Sequence, residues 1–257
     1  MSVWMYVNRE LEDAVDDCEN DCGTEECNAD QVHAWDEAVA FYTGSIPKKS
    51  GDGGTLLYTL AQKRCLNFGT CLTSGKEAGV AGVNSAIFKN FNAGKQALQQ
   101  GQCEVAQGLV GEITALMTIP MIQGTLRYAH IRGEQNADDE KAQAEGASFA
   151  AAVLPILHAC SAADAKTVYD NMATGSATPD FAAVKSAFEK NYECMKVNCG
   201  DVGGLLDADN VNFFAGAEPC SGGAAPAPGG AAAASSAFEA GVGLAVGIST
   251  AVFAALV

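Results

Sequence analysis

The chain has 257 residues, 48% of them apolar, which is enough for one packed domain or two small ones. Its 31 acidic against 15 basic residues leave a formal charge of −16, which argues against nucleic acid and anionic lipid headgroups as electrostatic partners and favours cations. Ten scattered cysteines, none in a CxxC pair, predict a disulfide framework in an oxidising compartment rather than structural zinc.

The amino terminus, "MSVWMYVNRELEDAV", has no basic start, no long apolar run and no small-residue cleavage site, so it does not read as an export signal. Trp4, Val7, Leu11 and Val15 fall near helical spacing, as if the chain began inside a domain through truncation. The polar stretch "DDCENDCGTEEC" carries Cys18, Cys22 and Cys27 and is too loop-like to bury free thiols. Asp30 is the expected N-cap of a second helix, "QVHAWDEAVAFYT", which should stop near Gly44. Beyond a glycine-rich loop at 50–54, "TLLYTLAQKRCLNF" and "GVNSAIFKNFNAGKQALQQG" predict two more helices. In the long apolar run from Cys103, Pro120 should kink or divide the helix, and the helix before Cys160 should be interrupted near Pro155. "DAKTVYDNMATG" and "PDFAAVKSAFEKNYECMKV" complete the set, with Pro179 expected in the first turn of the last one. Alternating β-branched runs are scarce. The expected fold is an all-α, disulfide-stapled helical bundle over residues 1–220, its cysteines clamping helix ends and loops.

Residues 221–239 form a flexible linker rich in Gly, Ala, Pro and Ser, and 240–257 an uncharged apolar tail that runs to the last residue. A spanning helix needs about 20 apolar residues and normally continues into a cationic flank. Small residues, a spacer and a terminal apolar tail instead match a GPI-attachment signal, with Gly229, Gly230, Ser235 and Ser236 as candidate attachment sites. A simple membrane anchor is the second reading.

Polar residues amid apolar sequence carry the functional reading. His33, Asp36 and Glu37 are related by i, i+3 and i+4 and share a helix face, and Glu10 stands on the first helix. Glu112 and Glu145 are stranded in apolar surroundings, where a lone carboxylate is costly without a cation, a hydrogen-bond network or water. An internal Glu112–Arg127 ion pair and a macrodipole-stabilised Glu145 would satisfy them without a ligand. Alternatively, several helices each supply one inward carboxylate, the way bundle metal sites are built, and such oxygen-rich sets suit hard cations such as Fe³⁺, Ca²⁺ or Mn²⁺. No HExxH, EF-hand loop or ferritin-like ExxH pair is present. Of the remaining histidines, His130 is expected exposed beside a basic loop and His158 at a helix end.

"VWMYVNRELEDAVDDC", "VHAWDEAVAFYTGS", "LLYTLAQKRCLNFGTC" and "IQGTLRYAH" together resemble the algal Fe-assimilating, low-iron-inducible periplasmic proteins, a group that includes a member also induced by high carbon dioxide. The resemblance implies a non-enzymatic extracellular protein that concentrates iron for uptake, handing it to a transporter or ferrireductase at the plasma membrane. The resemblance carries over no ligand set; the residues themselves suggest Glu10, Asp36, Glu37, Glu112 and Glu145 as inward metal ligands, with His33 as an addition, and Fe³⁺ is favoured over Fe²⁺. Tyr42 and Arg127 support them, the arginine holding a carboxylate or a synergistic carbonate. A ferroxidase-like redox enzyme and a structural wall protein without a ligand are the alternatives.

Overall fold

The computed structural model describes residues 2–20, 25–44, 55–72, 80–135, 137, 139–209 and 211–220, the side chains of 2 and 25–29 excepted. Cys22, the side chain of Cys27, the loop at 50–54, the linker, the apolar tail and Gly229, Gly230, Ser235 and Ser236 lie outside this description. Among the described residues there are nine α-helices and no strand, only the isolated bridges Cys71–Ala81 and Leu206–Phe213.

Helices α1 (Ser2–Glu19) and α2 (Glu25–Thr43) pack side by side. On α1 the buried set Val7, Leu11, Ala14, Val15 and Cys18 makes one apolar stripe, and the acids fall on the other faces. Helix α3 (Leu56–Phe68) precedes α4 (Gly82–Gln99) and the long α5 (Cys103–Gly133). Specific contacts fix the directions of the first bundle. Tyr6 stacks on Phe41 at 5.3 Å between α1 and α2, and Trp35 Nε1 donates to Phe91 O at 2.9 Å between α2 and α4. Asn90 Nδ2 donates to Glu112 Oε2 at 3.0 Å between α4 and α5, and Thr114 of α5 donates to Asn8 of α1. With Gln31 Nε2 reaching Leu98 O at 2.7 Å, and Cys18 joined to Cys103, every neighbouring pair in this four-helix ring runs antiparallel.

The second half of α5 is the spine of the rest. Residues from Met117 to Leu126 are all buried, because α3, α6 (Glu140–Cys160), α8 (Phe181–Glu189) and α9 (Cys199–Val202) surround it. Helix α7 (Ala162–Met172) packs on α6 and α8. By length and composition α5 could cross a membrane, but half of its most apolar stretch is buried in the fold, as a core helix requires.

Proline divides neither long helix: α5 continues through Pro120 and α6 through Pro155. Proline removes one N–H and so one i→i−4 bond, and the packing of Ile119, Pro120 and Met121 on all sides holds α5 together across the gap. Helix α2 starts at Glu25, so Asp30 lies inside it and is not its cap. Pro179 precedes the last long helix instead of opening it, because Asp180 caps α8 by accepting from Ala183 N at 2.9 Å. That helix ends at Glu189, and 190–196 turn back to Cys194.

Four disulfides staple the described part: Cys18–Cys103, Cys65–Cys71, Cys160–Cys194 and Cys199–Cys220. Each has at least one end at or just beyond a helix terminus, as the sequence predicts for clamps.

Candidate functional site

Helix α2 buries Ala34, Trp35, Ala38 and Tyr42, and this apolar stripe decides where its acids go. His33, Asp36 and Glu37 are left outward and exposed. Asp36 receives both of its hydrogen bonds from Lys95 Nζ, at 2.7 and 3.0 Å, in a solvated ion pair. Glu112 is exposed on α5 and holds Asn90. It cannot pair with Arg127, because fifteen residues along one continuous helix put them roughly 22 Å apart. Tyr42 is fully buried, donates its hydroxyl to Asn84 and has its pKa pushed far up by burial, then by Tyr58. It is a core residue that braces α2 against α3 and α4, since Asn84 in turn donates to Tyr58 O at 3.1 Å and Gln62 Oε1 at 3.0 Å.

The six expected metal ligands therefore do not converge in the interior. Among the described residues no three His, Cys, Asp or Glu side chains stand close enough to hold one ion. The interior-cluster expectation failed because an isolated carboxylate in an apolar string can still face water: at i+1 or i+2 from a buried position, a helix residue is already on the flank.

Two other groupings appear instead. Across the outer seam of α1 and α2, Glu10 and Glu37 feel each other's charge. Partial burial, then the charges of Glu37 and Asp13, hold the Glu10 carboxyl above its ordinary pKa, against the weaker opposite pull of Arg9. Burial followed by Asp13, Asp30 and Asp16 does the same to Asp17. Glu10, Asp13 and Asp17 are spaced i, i+3, i+7 on α1, and Asp30, His33 and Glu37 repeat that spacing on antiparallel α2. The 10–37 and 17–30 pairings bring the two rows face to face with His33 in the middle of its row.

The second grouping lies where α3, α5 and α6 meet. Arg64, Arg127 and Glu145 feel one another's charge. Glu145 also has Lys141 Nζ at 4.0 Å, one turn back on α6. Arg64 lies over the Phe149 ring at 6.0 Å and Arg127 over Tyr128 at 5.4 Å. Those two rings stack at 5.9 Å against Gly124, where a Cβ would come within 2.5 Å of Phe149. Arg127 also lines a cavity of about 270 Å³ with Asn67, Gln135, Asp207 and Phe214.

His130 is 3% exposed, contrary to the exposed position expected beside a basic loop. It sits 5.0 Å from the Phe181 ring and 4.4 Å from that of Phe214, and its Nδ1 has no hydrogen-bond partner. Burial lowers its pKa against a smaller upward pull from Glu134. Its place one turn beyond Leu126, on the buried stripe of α5, is the signal that sequence reading missed. His158 is exposed in the last turn of α6.

The chain matches no protein-family model, no curated protein and no solved structure.

Proposed function

We propose that this is an extracellular, non-enzymatic protein that gathers hard cations, iron foremost, and presents them for uptake at the cell surface, with the acidic seam of α1 and α2 as the collecting face. The observation that carries this reading is the pair of acidic rows facing each other across the packed helices α1 and α2, where Glu10 and Glu37 feel each other's charge. Two carboxylates held at mutual cost on neighbouring helices gain most from a cation between them. Fe³⁺, the harder ion, is preferred to Fe²⁺ by a carboxylate pair. Four disulfides favour an oxidising, extracellular setting. The apolar tail at 240–257 supplies the surface anchor, of GPI type, and a transporter or ferrireductase at the plasma membrane is the recipient.

Calorimetric titration with Fe³⁺, Fe²⁺, Ca²⁺ and Mn²⁺ tests this. Glu10→Gln and Glu37→Gln should each weaken Fe³⁺ binding about tenfold, whereas Glu112→Gln and Glu145→Gln should leave it unchanged. No Fe³⁺ heat in the wild type, or equal affinity in all four variants, removes the seam as the site.

The seam has a pH signature as well. A carboxyl whose pKa is raised by folding costs stability when ionised, so the penalty is present near neutral pH and fades as pH falls through the raised value towards 4.5. Glu10→Gln should therefore raise the urea midpoint at pH 7 in metal-free buffer, and the gain should vanish near pH 4. A variant less stable than wild type at pH 7 would show that Glu10 is held by a favourable contact, not by crowding.

A further inference from the structure

We infer that the cavity between α3, the C-terminal end of α5 and the 205–214 segment binds a small hydroxycarboxylate anion, with Arg127 as its principal anchor. In a chain of net charge −16, Arg127 lines the cavity and the Arg64 guanidinium stands behind it, close enough for the two charges to interact, while Glu145 pulls the other way on both. Burial, then the charge of Arg127, lowers the pKa of Arg64 to about 10 despite the opposing Glu145.

Arg64 is also under-satisfied. Its Nε and Nη1 are buried and have no hydrogen-bond acceptor. Buried guanidinium donors without acceptors are costly, and because Arg64 does not line the cavity its part is the positive charge it adds behind Arg127. Arg127 makes no hydrogen bond to any described residue and instead lies over Tyr128, so its planar fork of donors is free for an oxyanion.

The cavity gives the ligand its class. Its volume of about 270 Å³ suits a molecule of a few carbons, and Arg127 lines it. Asn67, one helical turn after Arg64, and Gln135 add amide donors and acceptors. Asp207 brings an acceptor: its carboxylate is oriented by Val211 N at 3.2 Å and Asn212 Nδ2 at 3.4 Å, which hold its pKa down and keep it ionised. An arginine and an oriented carboxylate on the wall of one cavity fit a ligand carrying both a carboxylate and a hydroxyl, the first on Arg127 and the second donating to Asp207. A bare inorganic oxyanion would leave Asp207 repelling it. Phe214, backed by His130, closes the apolar side. The site stands apart from the acidic seam and holds whether or not that seam takes up cations.

The test is calorimetry on the full chain at constant ionic strength with L-malate, citrate, succinate and inorganic phosphate. Malate should bind at least fivefold more tightly than succinate, which lacks only the hydroxyl, and more tightly than phosphate. Arg127→Gln should weaken malate at least tenfold, and Asp207→Ala should abolish the preference for malate over succinate. Arg64→Met should weaken malate yet raise the melting temperature of the ligand-free protein, because it removes the unsatisfied donors. Absence of malate binding, equal malate and succinate affinity, a preference for phosphate, or undiminished binding in Arg127→Gln would each overturn the assignment. A Arg64→Met protein that melts lower without ligand and binds malate normally would reduce Arg64 to a packing residue and defeat its part in the site.

Discussion

Replacing Cys18 and Cys103 together by alanine is expected to lower stability by about 4–5 kcal/mol, and the melting temperature by on the order of 10 °C. The disulfide closes a loop with a sequence separation of 85, and the loss comes from the entropy this closure removes from the unfolded chain. The folded protein should keep its shape. Helices α1 and α5 remain joined by the Thr114–Asn8 hydrogen bond and by the stripe of Val7, Leu11 and Ala14 on the common core. Removing Cys65–Cys71, with a separation of 6, should cost only about 2 kcal/mol on the same reasoning. Urea denaturation of the two double-alanine proteins gives the comparison. If the short-loop pair costs as much as the long-loop pair, loop entropy is not the reason these staples stabilise the fold.

Why the sequence showed the bundle and hid the site follows from what each depends on. Helix positions come from local periodicity. Val7, Leu11 and Val15 reveal α1, and the long apolar run from Cys103 reveals α5. Disulfide clamping followed from the number and placement of cysteines, though no pairing did. The site depends on phase. On α2 the step from Trp35 to Asp36 takes the chain from fully buried to exposed, so a list of acids near hydrophobic residues cannot say which way they face. The pairing of Glu10 with Glu37 needs the register between two helices, and that register is set by contacts such as Tyr6 on Phe41. The arginine corner was further out of reach. Arg64, Arg127 and Glu145 come from three helices widely separated in the chain, and the sequence instead offered Glu112 as the partner of Arg127. Cap residues were legible in principle: Asp139 and Ser161 accept from Ala142 N at 2.7 Å and Asp164 N at 3.2 Å, where the pattern of an acid or serine before a helix would have placed them.

Gly94→Ala should destabilise the protein by about 2–3 kcal/mol, although alanine is favoured over glycine in a helix by about 1 kcal/mol. A Cβ at Gly94 would lie 2.0 Å from Cζ2 and 2.5 Å from Cη2 of Trp35. The indole cannot withdraw. It is 0% exposed, its Nε1 is tied to Phe91 O at 2.9 Å, and Phe91 meets it edge-on at 6.2 Å. Helices α2 and α4 would have to move apart, which would also loosen the Lys95–Asp36 pair and the Tyr42–Asn84 hydrogen bond along the same interface. Trp35→Phe alone should cost about 2–4 kcal/mol through the lost hydrogen bond and the cavity it leaves. In the Gly94→Ala background the smaller ring should make room for the new methyl, so the double variant should be at least 1 kcal/mol more stable than the sum of the two losses implies. Strict additivity in denaturant unfolding, or a Gly94→Ala protein as stable as wild type, would mean that the tryptophan does not set the spacing of α2 and α4. The outward phase of Asp36 and Glu37 would then need another cause.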